Sequence, residues 1–453
     1  MLTIQNIDAT QGPIIPQILR YSYALILSTL VQTLFSAVDV AVLGNMADST
    51  SVASVGATST VTSLLLNAFV GFSSGTKILL ARFIGARDQE KTRHTVDTAV
   101  LLSVIIGVFV AVMGWTFSPM ILRLTKCPDS CFDGATLYLR VYFSAAPAVL
   151  LYNFCSSILT ASGNTKSPLY YMLLGGSLNV VLNILLCLIL PNKVLAVAIA
   201  TAASQLLGAA LTLRRLCSGK DSVRLHIKQM RWKGYAFGKI VGQGLPIFLV
   251  NVLFPVANLQ IQSALNSYGV AAIAGNSASI SLEGINSAIH GNLATATGVF
   301  IGQNLGAQQH DRVKRSFFSG LWISALLSLL IGNFFYATGR FWLNLILPGD
   351  TLAADFAIIR MGFILAFGFV AAINGVLSHF MQSFGYAFLS SLNSMICVLG
   401  FRVVWMNFVY PRYQTFRCLM CCYFVSWLLM LMTNIIMTSV VYARYKKGHY
   451  KRL

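Results

Sequence analysis

The chain is a succession of long hydrophobic stretches separated by short polar ones. Twelve stretches have at least the roughly 20 mostly apolar residues that a helix needs to cross a bilayer. They are residues 14–43, 52–82, 95–117, 136–161, 167–190, 194–216, 240–266, 271–303, 313–337, 352–384, 387–410 and 415–443. Because a chain in lipid must satisfy its backbone polar groups internally, such stretches form helices. The pattern predicts an all-α polytopic membrane protein with twelve transmembrane helices.

The composition agrees with this prediction. Of the 453 residues, 56% are apolar and only 10% are charged, and the mean hydropathy is +0.72. An ordinary soluble domain has about 25% charged residues. These values exclude a soluble domain, a disordered chain and a small disulfide-rich secreted module. The first twelve residues are polar and lack the pattern of a cleavable signal peptide, so we expect a short cytoplasmic tail.

The net charge of +19 first suggests a nucleic-acid partner. If the N-terminus is cytoplasmic, 22 of the 32 Lys and Arg residues lie on the cytoplasmic side and 6 lie on the opposite side. The positive-inside rule predicts this asymmetry. Topology therefore explains the charge without a nucleic acid, and it predicts a multi-pass protein of the inner or plasma membrane with both termini in the cytoplasm.

The two halves of the chain match each other at an offset of 220–222 residues. The matching stretches are IGA at 84–86 with LGA at 305–307, YLRVYF at 138–143 with IIRMGF at 358–363, and Gly163 with Gly385. Six spans per copy give both copies the same orientation, which predicts two pseudo-symmetric six-helix lobes suited to alternating access. A purely structural duplication is the alternative. The predicted organisation is an N-lobe at 1–216, a basic cytoplasmic linker at 217–239, a C-lobe at 240–443 and a cytoplasmic tail at 444–453.

Ionisable and amide side chains inside the first six spans are candidates for the binding of a proton or cation. Asp39 is flanked by apolar residues, and burial disfavours the charged form of a carboxyl group, so this residue is a candidate proton carrier. Asn179 and Asn183 lie on one helical face, as do Thr201 and Gln205. Their oxygens are candidate partners of Asp39. The alternative for these neutral residues is hydrogen bonding between packed helices.

The second six spans contain Glu283, His290, His379 and Arg402. We predict that Glu283 and Arg402 pair, because a pair would offset two costs of desolvation, and that Glu283, Arg402, His379 and Gln205 bind substrate. Snorkelling of Arg402 and a packing role for His379 are the alternatives. Arg360, like Arg140 in the first half, begins its span at the outer face, and we expect both to snorkel.

The remaining motifs do not indicate an enzyme. The sequence has no Walker A, HExxH, GxSxG or GxGxxG motif, and we expect no cofactor beyond a coupling ion. Cys127 and Cys131 share an outer loop, where an oxidising compartment could pair them. No His or carboxylate accompanies the three cysteines Cys418, Cys421 and Cys422, so they are interpreted as small, polarizable packing residues of the span rather than as a metal site. No obligate protein partner is evident.

At this point the sequence resembles the multidrug and toxic compound extrusion (MATE) family, closest to its bacterial DinF-like branch. The resemblance covers nearly the whole chain. Its stretches are QTLFSAVDVAVLG (32–44), GFSSGTKILLARFIGARD (71–88), ASGNTKSPLYY (161–171), GLPIFLVNVLFPVANLQIQSALNSYG (244–269), AGNSASISLEGI (274–285), GQNLGAQQHDRVKR (302–315) and CVLGFRVVWM (397–406).

The resemblance implies a twelve-helix, two-lobe antiporter that exports amphipathic, often cationic compounds against entering protons or sodium ions. Asp39 falls on the family's first-helix acid, and Asn179 and Thr201 fall on polar positions of the same site. Asn183 falls where many members have a second acid. Since hard cations favour several anionic oxygens, this departure favours protons over sodium. Lipid-linked-sugar flippases share this fold and are the alternative, although they need more basic groups than Arg402 alone.

Overall fold

The structure is a computed structural model that describes residues 6–219 and 223–448. Residues 220–222 of the predicted linker and 449–453 of the predicted tail lie outside the described part. Helix is the only regular secondary structure among the described residues, which confirms the predicted all-α class.

The first half of the chain contains seven helices. They are α1 (Ile14–Met46), α2 (Ser49–Gly85), α3 (Gln89–Leu124), α4 (Asp129–Ser144), α5 (Ala146–Ala161), α6 (Lys166–Ile189) and α7 (Lys193–Ser218). Capping side chains begin several of them. For example, the Asp88 carboxylate accepts a hydrogen bond from the backbone N–H of Lys91 at the start of α3. Its contacts with Lys91 also lower the pKa of Asp88, which lies outside the predicted span.

The second half contains eight helices after a short 3₁₀ turn at Ile227–Gln229. They are α8 (Gly234–Asn266), α9 (Val270–Gly306), α10 (His310–Ala337), α11 (Gly339–Ile346), α12 (Thr351–Ile364), α13 (Gly368–Ser383), α14 (Ala387–Tyr413) and α15 (Phe416–Lys446). Helix α14 is not uniformly α-helical. Two π-helical segments, Met395–Gly400 and Trp405–Val409, flank a short α-helical segment at Phe401–Val404.

The predicted spans coincide with these helices. Among the described residues, nine helices are long and apolar enough to cross a membrane, or up to eleven if the bent pairs α4–α5 and α12–α13 each form one span. The remaining predicted span is α9, whose sequence is rich in Gly, Ser and Asn. Because α9 packs against α10, α12 and α13, many of its polar residues are buried in protein rather than in lipid.

The internal repeat is also visible in the backbone. Gly163 and Gly385 both have φ of 86°, and Arg87 and Gln308 have φ of 54° and 57°. Each pair matches at the predicted offset, and each member ends a helix in the left-handed region that favours glycine. The bends match as well, with angles of 45° between α4 and α5 and 42° between α12 and α13.

The helices form two compact units. Among the described residues, the first unit contains Leu27–Gly244 and residues 6–8, and the second contains Ala9–Ile26 and residues 245–448. These units differ from the predicted lobes because Ala9–Ile26 lies with the second half of the chain. Within the second unit, Tyr21 is fully buried and packs edge-on against Phe300.

Close helix packing in each unit depends on glycine. In the first unit, a Cβ at Gly107 of α3 would overlap the backbone of Pro147 in α5. In the second unit, a Cβ at Gly275 of α9 would overlap the carbonyl of Ala353 in α12. Small residues at such contacts let helices approach closely, as in other membrane helix pairs.

Arg312 holds the segment before α1 in the second unit. Its guanidinium donates hydrogen bonds to the carbonyl oxygens of Ala9 (2.9 Å), Gln11 (3.1 Å) and Gly12 (3.0 Å). Asn304 donates a further bond to the Ala9 carbonyl at 3.0 Å.

We expect Arg312→Ala to free this segment, because it removes three charge-assisted hydrogen bonds, and such bonds contribute roughly 1.5–3 kcal/mol each. Amide hydrogen exchange of residues 9–12 should become at least tenfold faster. Arg315→Ala is the matched control, since Arg315 is exposed on the same helix. Equal exchange in the two variants would contradict the anchoring role.

Candidate functional site

Asp39 lies in a polar cluster in the first unit. The Asn183 side-chain amide donates one hydrogen bond to Asp39 Oδ1 at 2.6 Å and another to Asn179 Oδ1 at 3.3 Å. Asn179 and Asn183 are one turn apart on α6, so both face the same side of that helix. The structure thus brings together the three residues that the sequence analysis singled out in α1 and α6.

Helix α4 and helix α7 complete this cluster with Tyr138 and Thr201. Tyr138 is buried and close enough to Asp39 for an electrostatic interaction. Its hydroxyl is also close to the Thr201 side chain. Sequence reasoning missed Tyr138 because an aromatic residue in an apolar span reads as core packing. Gln205 lies one turn beyond Thr201 on α7 and is half-buried.

The charge of Asp39 is not neutralised by a basic group in the described part of the chain. The hydrogen-bond partner of its carboxylate is the neutral amide of Asn183. Asn183 is fully buried, and its own Oδ1 has no hydrogen-bond partner among the described residues. A carboxylate with such surroundings is suited to bind a proton reversibly, because protonation removes a partly buried charge that no cation among the described residues offsets.

A second cluster, in the second unit, is built around an ion pair. Arg360 of α12 donates to both carboxylate oxygens of Glu283 in α9, at 2.7 and 2.8 Å. Arg360 also donates to Asn276 Oδ1 at 2.9 Å, and the Ser279 hydroxyl donates to Glu283 at 2.7 Å. This bidentate geometry is the strong form of an Arg–carboxylate pair.

Two predictions about these residues were wrong. Glu283 pairs with Arg360 and not with Arg402, and Arg360 does not snorkel, because it is only 6% exposed. The reason is depth. The predicted span starts at 352 and the helix at Thr351, so Arg360 lies nine residues, or about 14 Å, inside the helix, too deep for its guanidinium to reach the outer end.

Arg402 is almost fully buried, so the snorkelling alternative is also excluded. Its guanidinium donates to Asn258 Oδ1 at 2.7 Å and lies over the ring of Tyr423, 4.2 Å from the ring centre. The Phe254 ring lies 5.4 Å away. Arg402 is in the α-helical segment between the two π-helical segments of α14. Such departures from the α-helix are frequent at functional sites.

The second cluster lines a space that we call the second-unit cavity. It consists of two adjoining hollows of about 310 and 290 Å³ that share five lining residues, and each hollow is near the lower end of the size range of ligand sites. The shared residues are Asn258, Glu283, Ser287, Arg360 and Tyr423. Arg402 and His290 line the second hollow, and Glu283 and His290 both belong to α9.

His379 is not part of this cavity lining. It packs against Gly298 of α9, fifteen residues and roughly 22 Å along that helix from Glu283. The structure therefore separates His379 from Glu283 and Arg402, with which the sequence analysis had grouped it.

The cysteines show no metal site. Among the described residues, no three His, Cys, Asp or Glu side chains are arranged to hold a metal ion. Cys127 and Cys131 are free thiols in the loop before α4 and at its start, with their sulfur atoms 3.6 Å apart.

Comparison with known proteins places these residues in a family. The MatE family model matches residues 24–185 and again 246–407, two segments whose starts and ends are each 222 residues apart. These matches confirm the internal repeat. The first contains Asp39, Asn179 and Asn183, and the second contains Glu283, Arg360 and Arg402.

Individual relatives agree with this match. The chain is 27% identical over 307 residues, 68% of each protein, to the probable multidrug resistance protein YpnP of Bacillus subtilis. It is 24% identical over 264 residues, 58% of each protein, to the multidrug export protein MepA of Staphylococcus aureus.

A solved structure supports the fold. It is that of a MATE protein crystallised in complex with MaL6, with a TM-score of 0.90 and 19% identity, covering 98% of this chain and all of that one. Two copies of the family segment, the named relatives and the shared helical fold lead to one conclusion: the chain belongs to the MatE family of membrane transporters.

Proposed function

We propose that the protein is a secondary active multidrug antiporter, which exports amphipathic, often cationic compounds in exchange for entering protons. Relatives named as multidrug resistance and export proteins support the substrate class. The observation that carries the choice of coupling ion is the environment of Asp39, whose hydrogen-bond partner is the neutral amide of Asn183. One carboxylate among neutral groups suits a proton better than a sodium ion, which favours several anionic oxygens.

In the proposed mechanism, Asp39 changes its hydrogen bonding when it binds a proton. The ionised carboxylate accepts from the Asn183 amide and thereby links α1 to α6. A protonated carboxyl group would instead present an O–H donor, and the acceptor at hand is the Asn183 oxygen that lacks a partner. We propose that this exchange weakens the link, moves α1 and drives the substrate off, and that alternating access of the two lobes then releases the proton inside.

The energy available from one proton sets a limit on the gradient. A charge that crosses 100 mV yields about 2.3 kcal/mol. At 1.4 kcal/mol per decade, this amounts to a roughly 45-fold gradient of substrate. If a monovalent cation leaves for each entering proton, the exchange is electroneutral and only the pH gradient drives it.

The predicted substrate-binding residues receive unequal support. Glu283 and Arg402 line the second-unit cavity, which favours a role in binding. Gln205 is half-buried next to the Asp39 cluster, whereas His379 packs against Gly298 and does not line the second-unit cavity. All four roles stay predictions.

A flippase for an anionic lipid is the second candidate function. The structure supports this function more than the sequence did, because two deep arginines, Arg360 and Arg402, line the cavity, whereas only Arg402 was expected there. However, Glu283 neutralises Arg360 at 2.7 Å. One unpaired positive charge is a weak match for a pyrophosphate, so the antiporter is favoured.

Ethidium efflux from proteoliposomes tests the proposal. We expect efflux when a proton gradient is imposed and none above background when only a sodium gradient is imposed. Efflux with sodium alone would overturn proton coupling. No efflux with either ion, from protein shown to be folded, would shift the assignment to the flippase.

A further inference from the structure

The ionised groups of the second-unit cavity do not balance. Arg360 and Arg402 contribute two positive charges, and Glu283 contributes one negative charge. His290 adds no negative charge in either of its protonation states. The cavity therefore has a net charge of at least +1, although a site that attracts cations would need the opposite sign.

The carboxylate of Glu283, which carries the negative charge, already has hydrogen-bond partners in the protein. Glu283 accepts two hydrogen bonds from Arg360 and one from the Ser279 hydroxyl, all between 2.7 and 2.8 Å. A cationic ligand that approached Glu283 would have to displace the Arg360 guanidinium from a buried bidentate pair. Removing one partner of such a pair leaves the other charge buried and alone, which costs several kcal/mol.

The positive charge of Arg402 is not matched in the same way. Arg402 is 1% exposed, its Nε has no hydrogen-bond partner among the described residues, and its acceptor is the neutral Asn258 oxygen at 2.7 Å. The Tyr423 ring under the guanidinium contributes only a cation–π contact. A buried guanidinium with an unused donor destabilises the protein, because its charge and its N–H group are removed from water without a full set of partners. An anionic group in the cavity would offset this destabilisation.

The walls beside Arg402 are aromatic and aliphatic. Phe254, Trp427, Ile364 and Leu365 line the same hollow as Arg402. A ligand that presents an anionic head to Arg402 would find an apolar surface for an aromatic or aliphatic body. A few polar groups in a mainly apolar pocket is the usual arrangement of a small-molecule site.

We infer that the second-unit cavity binds one singly charged anionic group, a carboxylate or a sulfonate, on an aromatic or aliphatic body, with Arg402 as its charge partner. The inference rests on the proposed function only in treating such a ligand as a transported compound. It adds anionic and zwitterionic amphiphiles to the proposed cationic substrates. Binding itself requires neither an ion gradient nor Asp39.

The test measures binding of three probes with the same naphthalene body and similar size to the purified full-length protein in lipid nanodiscs. The probes are 1-naphthoate, neutral 1-naphthamide and the cation 1-naphthylmethylammonium, each measured by equilibrium dialysis at pH 7. We expect naphthoate to bind at least tenfold more tightly than either of the other probes. Tighter binding of the cation, or equal binding of all three, would overturn the inference without any variant.

Arg402→Gln locates the site. We expect naphthoate affinity to fall at least tenfold, and affinity for the neutral amide to change less than twofold. The matched control is Arg340→Gln, which removes an exposed arginine of the same unit that pairs with Asp355 at 2.9 Å. Wild-type affinity for naphthoate in folded Arg402→Gln protein would refute the assignment. If Arg402→Gln does not fold, the three-probe series decides. Because dialysis uses no gradient, a failure of proton-coupled efflux leaves this result intact, and the reverse also holds.

Discussion

Asp39→Asn is expected to remove at least nine-tenths of proton-driven efflux and to leave the protein folded. Asparagine has nearly the same shape as aspartate, and its oxygen can still accept the hydrogen bond that Asn183 now donates at 2.6 Å. It cannot take up a proton near neutral pH. A variant that takes up no proton cannot use the proton gradient, so it has no source of energy for exporting ethidium.

Two measurements test this prediction on protein shown to be folded. The first is ethidium efflux from proteoliposomes under a proton gradient, and the second is the release of protons when substrate is added to the purified protein. We expect both to disappear in Asp39→Asn. Asp48→Asn is the matched control, because it makes the same change at the cap of α2, outside the predicted spans, where Asn caps about as well as Asp. Proton release at the wild-type level in Asp39→Asn would rule out Asp39 as the carrier.

Part of the Asp39 cluster could be predicted, because two of its residues are close together in the sequence. Asn179 and Asn183 are one turn apart on a single helix, and that spacing fixes their common face. The presence of Tyr138 in the cluster could not be predicted from the sequence, because its proximity to Asp39 depends on how α4 packs in the first unit. An aromatic residue in an apolar span gives no sign of a polar partner on another helix.

The helices themselves were predictable, because a long apolar stretch in lipid satisfies its backbone hydrogen bonds by forming a helix. The bends within the spans were harder to predict, although the sequence has a proline or glycine at each of them. Pro147 stands just after the bend between α4 and α5, and Gly368 just after the bend between α12 and α13. The π-helical segments around Arg402 have no comparable signal. They depend on tertiary packing that hydropathy does not report.

The error about Arg360 shows where one-dimensional reasoning fails. Sequence gives the depth of a residue along its own helix to within a few positions, and it does not say which helices meet. Two arginines, Arg360 and Arg402, were available to a single buried acid, and economy of charge could not choose between them. The structure selects Arg360 because α12 packs directly against α9, which carries Glu283.

This ion pair leads to the second large expected effect. Arg360→Met should lower the free energy of unfolding by about 3–5 kcal/mol, because it leaves the Glu283 carboxylate buried without its partner. The double variant Glu283→Gln/Arg360→Met should recover at least half of that loss, since no uncompensated charge remains. A large recovery is the signature of a coupled pair rather than of two separate packing defects.

Unfolding in detergent, followed by intrinsic fluorescence at increasing denaturant, measures these differences. Arg340→Met is the control for loss of an arginine from an ion pair in the same unit, because the Arg340–Asp355 pair is more than half exposed at both side chains. Exposed pairs contribute only about 0–1 kcal/mol, so this variant should unfold close to the wild type. If Arg360→Met were as mild as Arg340→Met, or if the double variant were less stable than Arg360→Met alone, then Glu283 would be stabilised by groups other than Arg360.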